Sequence, residues 1–390
     1  MTVVAVTAGA VGAGLHARSG APTANRPTGG CHDWLAARAY RREINAVRPL
    51  VPKMKRAFAA PGLSVAIAAD GHLVWSQSCG FADRKRRRTV KRTTQFRVGS
   101  VSKTLTAATA ARLDQQGRLD VDDDVRNYVA SFPRGRPAPT LRQLGGHLGG
   151  VRHYEGEEAI NTRHYRSLTD SLRVFIDDPL VATPGEAFHY SSYGFNLLGA
   201  AIETAAGSAF ARAVQATLLT PLNMKGTTLG RAPVGGTRFY EVTGARRAVP
   251  APPIDLSDRY PSGGFLSTAE DLVRFGIGIT REGFLDTKAQ ALLFTPQRTT
   301  AGELTGYGFG FEVGDSPFGP VAGQTGNVVG GTAFVLIHPR TRVAIAMVTN
   351  IGFVTAPTPP DLSGTPEPPL LALPFIRRVV AARGRAGRGS

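Results

Sequence analysis

Cysteine is almost absent from this chain, with two in 390 residues, Cys31 and Cys79. They are too few and too scattered for a metal site or a disulfide framework. They can form one disulfide in an oxidising compartment or stand as two thiols, and the spacing does not choose between these. Acidic residues are also scarce: 29 Asp and Glu face 46 Lys and Arg, a formal charge of +17. Such a field favours anionic partners at encounter, in a salt-dependent way. Aromatic residues make up only 8% of the chain, and the densest basic runs, "RKRRRTVKR" (Arg84 to Arg92) and "IRRVVAARGRAGRGS" at the C-terminus, contain none. A base-stacking surface needs aromatics among its cations, and there is no zinc-finger, helix-turn-helix or RNA-recognition signature. Specific nucleic-acid recognition is therefore not expected. The runs read as a solvated loop and tail, with an anionic polymer or a membrane surface as the partner class they would serve.

Long hydrophobic runs are missing as well. Residues 3–15, "VVAVTAGAVGAGL", are too short to span a bilayer but have the length of a signal-peptide core, and "SGA" and "PTA" after them suit cleavage. The basic segment that usually precedes such a core is lacking, since the first charge is Arg18. The expectation is a leader or unstructured start over 1–33 and an exported protein, periplasmic or secreted, in a bacterium. A lipid anchor at Cys31 is disfavoured, because "PTGGC" has no aliphatic residue three before the cysteine.

At this length, with 42% hydrophobic residues, a large core can form. Helical spacing over Trp34, Ala37, Tyr40, Ile44 and Val47 predicts a helix ended by Pro49. "LSVAIAADGHLVWSQSCGFAD" predicts two strands around an Asp-Gly hairpin turn, and "GGTAFVLIHPRTRVAIAMVTN" a second β pair joined at "HPRT". Between them lie helical patterns: "SKTLTAATAARLDQQGRL" ending at Gly117, "YSSYGFNLLGAAIETAAG", and "STAEDLVRFGIGI" with a Ser/Thr cap and early acids. The proline-rich "TAPTPPDLSGTPEPP" reads as a loop before a last helix, "LPFIRRVVAARG". The fold class is thus α/β (α+β), an antiparallel sheet from both chain ends with an inserted helical region. A single domain is expected over 34–384, its sheet part about 34–99 and 305–384, its helical part about 100–304, with 385–390 a basic tail.

The candidate chemistry lies in "FRVGSVSKTLTA". Serine is a poor nucleophile unless a base adjoins it. Ser100 and Lys103 are three apart, on one face of a helix, and a desolvated lysine amine can fall far enough in pKa to take the serine proton. Gly99 suits a turn into a helix N-terminus, whose free N–H groups favour a developing oxyanion.

The stretch closely resembles the first motif of the penicillin-recognising serine hydrolases: class C β-lactamases, low-molecular-weight D,D-peptidases and related esterases. "PGEAFHYSSYGFNLLG" resembles their second motif, Tyr-x-Asn, and "GQTGNVVGG" their third, Lys/His-x-Gly on a strand lining the cleft. Order and spacing agree from about residue 60 to 352. The resemblance implies a β-lactamase/transpeptidase-like fold with Ser100 as acylated nucleophile, Lys103 as its partner and Tyr190 as proton relay. It also implies substrate contacts from Ser192, Gln324, Thr325 and Gly326, and an oxyanion hole made by the N–H groups of Ser100 and Asn327. No cofactor or metal is implied, and the substrate would be a small-molecule or peptide-like acyl donor. Two positions depart from the pattern: Ser192 stands where asparagine is usual, and Gln324 replaces a cation that helps hold a substrate carboxylate. Gln324 carries no charge, which shifts expectation from β-lactams toward esters and uncharged amides. The alternative is a non-catalytic binding protein on the same fold, using its basic surface.

Other candidates are weaker. His147 and His153 lack a third metal ligand at useful spacing and read as packed, hydrogen-bonded histidines. A Gly-x-Ser-x-Gly elbow is absent. Ser262 reads as part of a turn, and Asp122, Asp123 and Asp124 as cap and turn residues.

Overall fold

The structure, a computed structural model, describes residues 29–230, 233, 235–243, 247–354 and 367–386. Its main sheet has eight strands, seven of which form a continuous path: β1 (Cys31–Ala36), β2 (Gly62–Ala69), β3 (His72–Asp83), β4 (Glu312–Ser316), β5 (Gly319–Val328), β6 (Gly331–His338) and β7 (Val343–Thr349). They run in the order β1-β3-β2-β7-β6-β5-β4, with the short Arg88–Thr89 strand pairing off β3. Every neighbouring pair on that path is antiparallel. The expected architecture is therefore present: strands from both chain ends share one sheet, and helices occupy the sequence between.

Alternation along the central strands sorts two cores. On β7, Val343, Ile345 and Met347 enter one apolar cluster and Ala344, Ala346 and Val348 the other; β2 repeats this with Val65 and Ile67 against Ala66 and Ala68. The large side chains face α1 (Arg41–Val47), α2 (Leu50–Ala57) and α6 (Leu373–Ala386). The alanines face the inserted region, whose main helices are α3 (Ser102–Gln115), α4 (Ser192–Ala206) and α5 (Ala269–Ile279). Small residues on that face let α5 lie close: a Cβ on Gly276 would come 2.8 Å from the Ala344 Cβ. Among the described residues no helix is long and apolar enough to cross a membrane.

The turn between β2 and β3 has positive φ at both Asp70 and Gly71, as an Asp-Gly hairpin requires. One expectation fails. Trp34 to Ala36 are strand, a 3-10 turn follows over Arg38–Tyr40, and α-helix starts only at Arg41. A bulge between Asp33 and Leu35 breaks the period of two there, so the apolar spacing imitated a helix. Tertiary bonds secure β1: Cys31 is disulfide-bonded to Cys79, its partner across the ladder, and Asp33 accepts from Trp75 Nε1 at 3.1 Å and Gln77 Nε2 at 2.8 Å. Residues 31–33, set aside with the leader in the sequence, thus belong to the sheet. The signal-like segment and most of the proline-rich tract lie outside the described residues, as does 387–390 of the tail.

Candidate active site

Ser100 sits in a single 3-10 turn, Gly99–Val101, that runs directly into α3. Its side chain is partly exposed, whereas Lys103, one turn on, is fully buried. The Lys103 Nζ lies 3.0 Å from Ser100 Oγ, 3.0 Å from Ser192 Oγ and 3.0 Å from the Ser262 carbonyl oxygen. Three neutral oxygens match a neutral amine, which donates two hydrogens and accepts one through its lone pair. Burial, reinforced by the Arg259 charge, holds the Lys103 pKa well below 10.5, the direction expected for an amine taken out of water with no carboxylate beside it.

α4 brings in the second group. Ser191 caps the helix, its Oγ accepting from Gly194 N at 2.9 Å, and this aims Ser192 at Lys103. The Tyr190 hydroxyl is within hydrogen-bonding reach of Ser100, and burial pushes its pKa up, so it stays a phenol. Its ring lies 4.9 Å from Lys103 Nζ.

Both histidines of the "GGHLGGVRHYEG" loop serve this helix start. Ser191 N donates to His147 Nδ1 at 3.0 Å and Ser192 N to His153 Nδ1 at 3.1 Å. Each ring therefore carries its proton on Nε2. Burial, with the nearby Lys103, lowers His147 far below its ordinary value and His153 to about 4. Asp124 caps a turn by accepting from Arg126 N at 2.8 Å, Asp122 pairs with Arg142, and Asp123 accepts from Tyr128.

Strand β5 closes the other side. Gly326 faces the serine turn so tightly that a Cβ there would overlap the Val98 carbonyl and lie 3.0 Å from Ser100 N, and one on Gly99 would lie 2.9 Å from Asn327 N. Two glycines thus let the strand bring the Asn327 amide up to the Ser100 amide. The Asn327 side chain accepts from Phe353 N at 3.1 Å, and Thr325 is exposed. Gln324 is buried and committed: its Oε1 accepts from the Tyr307 hydroxyl at 2.7 Å and its Nε2 donates to Thr325 O at 3.0 Å.

Sequence reasoning missed three participants. Ser262 is in a turn as expected, but its carbonyl receives Lys103 and its hydroxyl lies 3.0 Å from Tyr154 Oη. Tyr154 also hydrogen-bonds Ser192, and Tyr307 holds Gln324. Burial pushes both phenols up. A carbonyl acceptor leaves no mark on residue type; the clustered tyrosines were the only available signal.

Comparison with known proteins bears on the family and the fold. A family profile described as Beta-lactamase matches residues 50–361. The human serine beta-lactamase-like protein LACTB, mitochondrial, is 28% identical over 352 residues, which take in 68% of this chain and 64% of that protein; the chain thus spans less than two thirds of that relative's length. Among solved structures, the D-amino acid amidase of Ochrobactrum anthropi SV3 superposes with a TM-score of 0.71 at 21% identity, over 86% of this chain and 99% of its own. The octameric penicillin-binding protein homologue of Pyrococcus abyssi gives 0.69 at 22%, over 87% and 77%.

Proposed function

Because the chain belongs to the beta-lactamase family, we propose that it is a serine hydrolase that forms an acyl-enzyme on Ser100 and acts on esters or uncharged amides. The observation that carries this reading is the Ser100–Lys103 contact of 3.0 Å to a buried amine whose pKa burial holds well below its ordinary value. Lys103 takes the Ser100 proton as Oγ bonds to the acyl carbonyl carbon, and the amine keeps its hydrogen bonds to Ser192 and Ser262 meanwhile. The N–H groups of Ser100 and Asn327 receive the oxyanion. Tyr190, a neutral phenol in reach of Ser100, relays the proton from the amine to the leaving group as the carbonyl–leaving group bond breaks. Water then repeats the sequence on the acyl-enzyme and restores Ser100.

Substrate class follows from Gln324. With both ends of its amide held within the fold it offers no charge to a substrate carboxylate, at a loss of roughly 1.5–3 kcal/mol relative to a charge-assisted bond. That favours esters and amides without a carboxylate at that point over β-lactams and D,D-peptides. The Cys31–Cys79 disulfide supports an oxidising, exported location.

Intact-protein mass after brief exposure to a set of acyl donors tests the reading. An adduct on the wild type and none on Ser100→Ala is the expected result, and its mass identifies the acyl group. A folded wild type that no donor acylates would favour instead a binding protein acting through its basic surface.

A further inference from the structure

The C-terminal end of α2, the end of β3 and the start of the short Ala248–Pro250 strand line a pocket of about 460 Å³, a volume that suits a small organic ligand. None of its lining residues belongs to the Ser100 site. Four of them are cations, Lys55, Arg56, Arg84 and Arg247; among the described residues no carboxylate lines the pocket and none of the four forms an ion pair. Arg84 also lines a larger cavity of about 1140 Å³, but there Asp83 and Asp255 stand among the cations. Lys55 and Arg56 lie in the last turn of α2, where a cation also meets the negative end of the helix dipole. Arg84 and Arg247 come from other segments, so the dipole does not account for the gathering. Three of the four are placed by the fold. The Lys55 stem crosses β3 at Gly80, where a Cβ would overlap its Cε. Arg84 donates from its amide to Tyr240 Oη at 2.9 Å and from its guanidinium to the Ala248 carbonyl at 3.3 Å. Arg247 donates its N–H to Thr243 Oγ1 at 3.3 Å, and its carbonyl accepts from Thr243 N at 2.9 Å. Lys55 is half-buried, and burial together with the Arg56 and Arg84 charges lowers its pKa from 10.5. Like charges are thus crowded together with no opposite charge lining the pocket.

We propose that this pocket binds the phosphate group of a phosphate monoester, carried either by a small soluble molecule or by a lipid headgroup. A phosphate monoester carries about −1.5 to −2 charges at neutral pH and three acceptor oxygens, so it can meet several of these cations at once. A single carboxylate offers one charge and two oxygens and would leave most of the like-charge crowding in place. Guanidinium forks bind phosphate oxygens side by side, and the Lys55 ammonium adds a point charge. Phe81 and Pro61 give the pocket an apolar side for the group that bears the phosphate. The basic run that looked like a solvated loop thus contributes Arg84 to a pocket wall. Binding here needs no reaction at Ser100, and the site stands whether or not that serine is acylated.

Calorimetry on the full chain at low salt tests this with glycerol 3-phosphate and acetate, alongside sedimentation with phosphatidylcholine vesicles that contain phosphatidic acid. Glycerol 3-phosphate should bind the wild type about tenfold or more tighter than acetate. The double substitution Arg84→Ala with Arg247→Ala, at exposed positions, should weaken that binding by about tenfold or more, and Arg247→Ala alone should weaken it in the same direction. Arg281→Ala with Arg298→Ala removes the same charge from exposed residues outside the pocket and should leave the affinity unchanged. Ser100→Ala should bind as the wild type does, which separates the result from any outcome at the serine. Vesicles that sediment the wild type but not the Arg84 and Arg247 variant, and that release it to glycerol 3-phosphate, assign the phosphate to a lipid headgroup. Binding of glycerol 3-phosphate without vesicle binding assigns it to a soluble ester. Acetate binding as tightly as glycerol 3-phosphate, equal losses in the two double variants, or no binding of either phosphate source overturns the proposal and leaves the hydrolase reading intact.

Discussion

Lys103 and Arg97 stand six positions apart in the chain, and the protein uses their charges in opposite ways. Lys103 is sealed among three neutral oxygens, so burial lowers its pKa well below the ordinary value, the direction a base needs. Arg97 is largely buried too, but it lies against a carbonyl and an aromatic face with the Glu241 charge acting on it, and at a pKa of about 10 it stays a cation. Residue type and burial together decide the outcome. An ammonium yields its proton when water is withdrawn, whereas a delocalised guanidinium does not. One residue is thus readied for proton transfer, and its neighbour a few residues earlier keeps its positive charge.

Replacing Lys103 is the most drastic way to break this comparison. Lys103→Arg puts a permanent cation there that cannot act as base, so acylation should fall by about 10²–10⁴-fold, as far as in Lys103→Met. Near wild-type activity in the arginine variant would place the base elsewhere. The pH profile sharpens the point. Because the Lys103 pKa is well below 10.5, the wild-type acylation rate should be level as pH rises toward that value; a tenfold climb per pH unit would mean an unshifted amine. Stability carries the same sign. The unfolded chain binds this proton more tightly, so between the folded pKa and 10.5 the wild type should gain unfolding free energy with pH relative to Lys103→Met, measurable by urea denaturation at several pH values.

Tyr190→Phe should have a smaller effect, selective by leaving group. Alkyl esters and amides, which need a proton on departure, should lose about 10²-fold in kcat/KM, while p-nitrophenyl esters change little. A uniform loss would assign Tyr190 to holding Ser100 rather than to proton transfer. Smallest is Gln324. Substituting Gln324→Lys or Gln324→His puts a cation where the strand now has none, and should raise kcat/KM for donors with a carboxylate on the leaving side by about tenfold. An unchanged preference would show that position 324 does not set charge selection.

Much of the site was legible because it is local. Ser100 and Lys103 share one helical turn, so type and spacing were enough to nominate them, whereas the Tyr190 and Gln324–Asn327 stretches were nominated by their resemblance to the family's second and third motifs. The two hairpins were equally readable, since Asp-Gly turns and runs of β-branched residues are short-range signals. What escaped was long-range. The Ser262 carbonyl has no side-chain signature, and Tyr154 and Tyr307 gain meaning only from the hydroxyl and amide they meet. β1 was misread because its bulge hides the period of two, and a disulfide and the Asp33 bonds place it from outside.

By itself the sequence determined the element types of the central strands and helices, the placing of Ser100 and Lys103 on one helical face, and an excess of positive charge, all properties of neighbouring residues. Tertiary structure alone decided that Cys31 joins Cys79, that Lys103 is buried among neutral oxygens, that Gln324 is held by Tyr307, and that part of a basic loop lines a cavity. The physical reason is the same in each case. Desolvation, pairing and enclosure depend on atoms that are close in space and distant in the chain.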